Sequence, residues 1–76
     1  MTELLKFIAT SLVNHPEDVK VEMQEGEELD RYELTVNDDD LGKVIGRSGR
    51  TAKAMRSVMR AGCAKTERRA HLEILE

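Results

Sequence analysis

Leu4, Leu5, Ile8 and Leu12 recur at helical spacing near the start of the chain, which predicts an amphipathic helix over residues 3 to 13 with Thr2 available as its N-cap. Asn14-His15-Pro16 ends it. Pro16 biases His15 away from helical angles, and Asn14 tolerates the left-handed conformation common just past a helix end. The period then drops to two. Val19, Val21 and Met23 alternate with Lys20, Glu22 and Gln24; after the polar bend Glu25-Gly26-Glu27-Glu28, Tyr32, Leu34 and Val36 alternate with Arg31, Glu33 and Thr35. This predicts a hairpin with one buried face.

Asn37-Asp38-Asp39-Asp40 offers capping oxygens to a short apolar turn, Leu41 to Ile45, which Gly46 ends. A second long helix is predicted from Gly49 to about Lys65. At about 100° per residue from Arg50, the residues Ala52, Met55, Val58, Met59, Gly62 and Cys63 fall on one arc, and Arg50, Lys53, Arg56 and Arg60 on another. One helix therefore carries an apolar face and a separate basic face. Ala70, Leu72 and Ile74 alternate with Arg69, His71 and Glu73 and predict a last strand. The order αββααβ implies an α+β two-layer sandwich, its helices on one face of the sheet and meeting the inward sides of Val19, Val21, Met23, Tyr32, Leu34, Val36, Leu72 and Ile74. A last strand reached through two helices on one face suits a crossover parallel to the Tyr32 strand, giving a three-stranded mixed sheet.

Seventy-six residues, 39% hydrophobic and 36% charged, make one small domain over residues 1–76. No uncharged run is long enough for a membrane span, and Met1 to Asn14 lacks the features of a signal peptide. The lone Cys63 has no disulfide partner and, with two well-separated histidines, forms no metal-ligand cluster. These features predict a cytoplasmic protein without a cofactor.

The net charge of −3 conceals a polarity. Residues 1 to 40 hold three basic residues against twelve acidic ones, a net −9, whereas residues 41 to 76 hold nine against three, a net +6. From Leu41 to Thr66 there are seven basic residues and no acidic one, so an anionic partner fits the second half of a chain that is acidic overall.

That basic segment contains Val44-Ile45-Gly46-Arg47-Ser48-Gly49-Arg50, with two glycines placed between a helix that stops and a helix that starts. Gly46 permits positive φ at the helix end. Gly49 leaves no side chain between a ligand and the backbone N–H groups at the mouth of the next helix, where the dipole also favours an anion. Gly-x-x-Gly alone is weak, arising by chance in roughly a third of chains this long. Its position between two helices, after a hairpin and before a last strand, and its basic neighbours Lys43, Arg47, Arg50 and Lys53 supply the specificity.

On these residues the chain resembles a K-homology (KH) domain, whose loop of this form clamps the sugar-phosphate backbone of about four nucleotides. The N-terminal helix and strand before the βααβ unit resemble the type II variant. Leu4 to Leu75, and the phrases LVNHPEDV and DDLGKVIGRSGRTAKAMR, resemble the small bacterial single-KH (KhpA-like) family. The resemblance implies single-stranded RNA binding without catalysis, in an RNA chaperone or post-transcriptional regulator. Lys43, Val44, Ile45, Gly46, Arg47, Ser48, Gly49, Arg50 and Lys53 would form the RNA-binding surface, with Ile45 and the start of the following helix bordering a groove for unstacked bases. It also implies self-association as a homodimer and pairing with a larger KH-containing protein of the Jag/EloR kind.

The remaining features have plainer readings. Arg56 and Arg60 either extend the loop's basic surface or form a solvated helix face, and the pattern alone does not distinguish these. Met23, Met55, Met59 and Cys63 read as core, His15 as a helix-end residue, His71 as outward-facing, and Asp38 to Asp40 as capping and solvation. With two aromatic residues, Phe7 and Tyr32, the chain lacks the base-stacking rings of an RNA-recognition motif. Gly42, Gly46 and Gly49 are spaced wrongly for nucleotide-binding motifs, and no nucleophile and base pair up, so an enzyme is not expected. Four basic residues at the loop predict that log affinity falls with log salt at a slope of about −3 on single strands. The competing expectation is an interaction module whose main role is to associate, using the small residues Ala54, Ala61 and Gly62 for a close contact.

Overall fold

The period-two segments form a three-stranded sheet, and the helical segments cover one of its faces, in a computed structural model that describes residues 1–64, 66 and 68–75. The elements are α1 (Thr2–Leu12), β1 (Lys20–Gln24), β2 (Leu29–Thr35), α2 (Leu41–Ile45), α3 (Arg50–Gly62) and β3 (Arg69–Ile74), with 3-10 turns at Pro16–Asp18, Asp38–Asp40 and Arg47–Gly49. The strand order is β1-β2-β3. β1 pairs antiparallel with β2, setting Met23 opposite Tyr32 and Val21 opposite Leu34. β3 pairs parallel with β2, setting Leu72 opposite Tyr32. The α+β mixed sheet expected from the pattern is the one observed.

Leu5, Ala9, Val19, Tyr32, Leu34, Val36, Val44, Met55, Met59 and Leu72 make one buried cluster between the layers. Burying such apolar surface is the main term that holds a small domain together. The alternation placed most of these residues correctly. Met23 is a correction: it is 44% exposed, next to the hairpin bend where the sheet runs out. On α3, Ala52, Met55 and Met59 are buried, but Val58 and Gly62 of the expected apolar arc are exposed and Cys63 is only partly covered. The arc that the sheet can cover is narrower than the arc the sequence makes apolar. α3 ends at Gly62, short of the expected end at Lys65, which lies outside the described residues.

Two end signals also differ. Thr2 does not cap α1. The helix already includes it, and the Leu5 amide donates to the Met1 carbonyl at 3.0 Å. Nor does Asn14 turn left-handed: α1 closes on Val13 in extended conformation, and Ser48 is the non-glycine with positive φ among the described residues.

The α1 exit is instead held by Asp40, a residue read above as ordinary capping and solvation. Asp40 is fully buried. Its Oδ1 accepts from the Asn14 amide at 3.1 Å, and its Oδ2 from the His15 amide at 2.9 Å and from His15 Nδ1 at 2.9 Å. Lys43 Nζ adds an ion pair at 3.2 Å. Burial raises the proton affinity of a carboxyl, but these donors outweigh it and hold Asp40 well below the usual carboxylate range. The hydrogen bond to Asp40 in turn raises His15 above its ordinary value. The side-chain cap at this corner comes from Asn37, whose Oδ1 accepts the Asp39 amide at 2.9 Å. Through this clamp the end of α1 fixes the start of α2, and α2 leads directly into the glycine pair.

Candidate nucleic-acid interface

Gly46 stops α2 with φ 77° and ψ 173°, its amide donating to the Gly42 carbonyl at 2.8 Å. That combination belongs to a region open only to glycine. It is also crowded: a Cβ on Gly46 would stand 2.8 Å from the Thr51 amide nitrogen and the Thr51 Cβ. Ser48 follows in the left-handed region at φ 56° and ψ 27°, and Gly49 at φ 74° and ψ 14°. At Gly49 the surrounding space is open, so glycine is needed there for its angles and for the bare surface it leaves. The two glycines thus do different jobs. Gly46 seats α2 against the first turn of α3, and Gly49 leaves an uncovered approach.

The loop directs its donors in a way the sequence did not indicate. The Gly49 amide is bonded to the Gly46 carbonyl at 3.1 Å, and the Arg50 amide to the Arg47 carbonyl, so neither stands open at the helix mouth. The amides of Arg47 and Ser48 carry no backbone partner among the described residues, and both residues are exposed. Consecutive open amides in a positive-φ turn form a concavity that suits an anion, at the end where the α3 dipole is positive. Around it stand Arg47, Arg50 and Lys53, all exposed and without an ion pair among the described residues.

Two of the expected contact residues are placed otherwise. Val44 is fully buried and supports the loop from the core instead of facing a ligand. Lys43 is exposed, but its charge is spent in part on Asp40, which reduces the fully available cations at the loop from four to three. Ile45 is partly exposed and borders a groove of about 300 Å³ beside Gly49 and Ala52.

The opposite wall of that groove is β3, a contribution the sequence reading left out. Leu72, Ile74, His71 and Glu73 line it, and Arg56 spans it by donating from Nη2 to the Leu72 carbonyl at 3.3 Å. The Arg69 and Leu75 amides bond across to the β2 side, so by strand alternation the N–H and C=O groups of Ala70, Leu72 and Ile74 point out of the sheet toward the groove. A phosphate-sized anion site, apolar floor residues and an open strand edge therefore sit side by side. The parallel register carried the signal: once the last strand follows a crossover, it is an edge strand next to α3. No helix of the described residues is long and apolar enough to cross a membrane.

Residues 2–74 match the family model described as the KH domain of KhpA/KhpB. The chain is 51% identical to the RNA-binding protein KhpA of Halalkalibacterium halodurans, with both chains covered in full. It is 49% identical to the RNA-binding protein KhpA of Borreliella burgdorferi, over 97% of this chain and 90% of that one. Identity to the RNA-binding protein KhpA of Clostridium perfringens is 48%, over 99% of this chain and all of that one. No solved structure matches.

Proposed function

The chain belongs to the KhpA/KhpB family of KH domains, and from that premise we propose that it binds single-stranded RNA at the Gly46–Gly49 loop, as an RNA chaperone or post-transcriptional regulator. It is a binding protein and not an enzyme. Phosphates rest on the open amides of Arg47 and Ser48, drawn there by Arg47, Arg50 and Lys53, with Lys43 at the margin. Bases turn into the groove between Ile45, Ala52 and β3, where the outward Leu72 N–H and the N–H and C=O groups of Ile74 meet their edges, the Leu72 carbonyl being held by Arg56. Phosphate contacts position the strand, and contacts to base edges discriminate among sequences. The observation that carries this reading is the pair of amides, open among the described residues, framed by two positive-φ glycines and three cations without an ion pair among those residues.

Replacing Arg47 and Ser48 with Asp tests it. Aspartate tolerates the left-handed angles of Ser48 and neither residue is buried, so the fold is retained while like charge occupies the anion site. Gel-shift binding of single-stranded RNA is expected to disappear; binding at the original strength would remove the loop from the interface.

Association with a second copy, or with a larger KH-containing protein, is a second reading favoured by one observation. Phe7 is 69% exposed on α1, with Leu4 and Leu12 of that helix about 40% exposed. Sedimentation velocity of the wild type and Phe7→Ser, with and without RNA, separates association from RNA binding.

A further inference from the structure

Beyond the loop, the space between α3 and β3 opens again into a groove of about 530 Å³ toward the end of α3 and the start of β3. It shares Arg56 and Leu72 with the groove beside the loop, so the two adjoin along one α3–β3 track with the Arg56–Leu72 hydrogen bond between them. Met59, Ala70 and Leu72 line its apolar part, and Arg56, Arg60, Arg68 and Arg69 its polar part; no carboxylate lines it among the described residues. In a chain with more acidic than basic residues, that distribution singles out one surface for a polyanion.

The four arginines are not equivalent. Arg68 is committed to the fold, donating from Nε to Asp30 Oδ2 at 3.1 Å and from Nη1 to the Glu27 carbonyl at 3.2 Å. Arg56 is committed to the Leu72 carbonyl. The Arg60 and Arg69 side chains form no hydrogen bond or ion pair among the described residues, and both residues are exposed. Arg60 lies ten residues along α3 from Arg50, roughly 15 Å at a helical rise of 1.5 Å per residue. Arg50, Lys53, Arg56 and Arg60 therefore mark a line of positive charge that starts at the loop and reaches the second groove.

We propose that an RNA strand held at the loop continues along this track into the second groove, where Arg60 and Arg69 contact its phosphates, giving a footprint longer than the four nucleotides of the loop site. The inference rests on the loop reading above, extends it to a second contact region, and defines the preferred ligand as single-stranded RNA of more than four nucleotides. The apolar part takes a base or ribose, and the two uncommitted guanidinium groups take the backbone.

The test uses oligouridylates of four and twelve nucleotides, titrated by fluorescence anisotropy across a range of salt. With Arg60→Ala/Arg69→Ala, the salt slope for the twelve-mer should become shallower by about 1.4, from two lost single-strand phosphate contacts, equivalent to about 25-fold in affinity near 0.1 M salt. Binding of the four-mer should not change. A charge-matched Lys6→Ala/Lys20→Ala variant, altered on exposed positions outside the track, should leave the twelve-mer slope as in the wild type. An unchanged twelve-mer slope in the arginine variant overturns the proposal. So does an equal loss on the four-mer, or an equal loss in the lysine variant, since the effect would then not be confined to a longer footprint. Arg47→Asp/Ser48→Asp reports on the premise separately: if it still binds the four-mer, the loop reading fails, whatever the arginine variant does.

Discussion

Gly46→Ala and Gly49→Ala alter the same motif and should have clearly different costs. At Gly46 an alanine meets two penalties. The angles φ 77° and ψ 173° lie in a region that costs a residue with a Cβ about 1–3 kcal/mol. The new methyl would also stand 2.8 Å from the Thr51 nitrogen and Cβ. Relieving that contact means moving the first turn of α3, comparable to overpacking a core at about 1–3 kcal/mol. The sum is about 2–6 kcal/mol, against a total stability of about 4–11 kcal/mol for a domain of this size. Gly49→Ala meets only the left-handed penalty of about 1–2 kcal/mol, because nothing lies within 4 Å of the added atom. Urea denaturation followed by circular dichroism measures both. With a slope near 1 kcal/mol per molar, the midpoint should fall by about 2 M or more for Gly46→Ala and by about 1–2 M for Gly49→Ala, with Gly46→Ala always the lower. Folded Gly49→Ala should also bind RNA more weakly, its methyl standing in the approach to the groove. Equal midpoints, or Gly49→Ala the less stable, would refute the division of labour between the two glycines.

Other outcomes follow from the same geometry. With Lys43 drawn to Asp40, three cations remain fully available at the loop, so the salt slope on a four-nucleotide strand should be about −2, shallower than the −3 expected from four, and Lys43→Ala should change it little. Asp40→Ala strips the Asn14 and His15 amides of their acceptor and should lower the melting temperature, while also loosening the α1–α2 corner behind the loop. The same clamp gives two pH limbs. Asp40 titrates below its ordinary 3.8, so its contribution is present above that value and is lost as pH falls through the depressed one. His15 titrates above its ordinary 6.5, so its contribution is full below 6.5 and is lost as pH rises through the raised value. Thermal melts should therefore show the wild type losing stability on the alkaline side of 6.5, and His15→Ala should flatten that limb; an identical limb in the variant would separate His15 from the clamp.

Local pattern carried most of the fold. Leu41 to Ile45 and Arg69 to Ile74 lie where the hydrophobic period and the flanking glycine or charge put them, because short segments with one buried side leave little freedom in register. The α1 end was less legible. Asn14 and His15 carried local stop signals, but their amides are satisfied by a carboxylate 26 and 25 residues away, a partner no local rule supplies. Asp40 shows the same limit from the other side: three consecutive aspartates read as solvent-facing, and only the packing of α1 against α2 selects the third for burial. In the site, the glycines and the basic residues were visible because their chemistry depends on residue type. The open amides at Arg47 and Ser48 depended on which hydrogen bonds the 3-10 turn consumes, and the β3 wall on a backbone edge, which no side-chain pattern encodes.

A titration of isotopically labelled protein with a single-stranded oligoribonucleotide, followed by amide chemical shifts, bears most directly on the central claim. The account predicts that the Arg47 and Ser48 amides move first and furthest, with Gly46, Gly49 and Arg50 beside them and Leu72 and Ile74 across the groove. Stationary resonances at Arg47 and Ser48, with saturable shifts on some other surface, would contradict it.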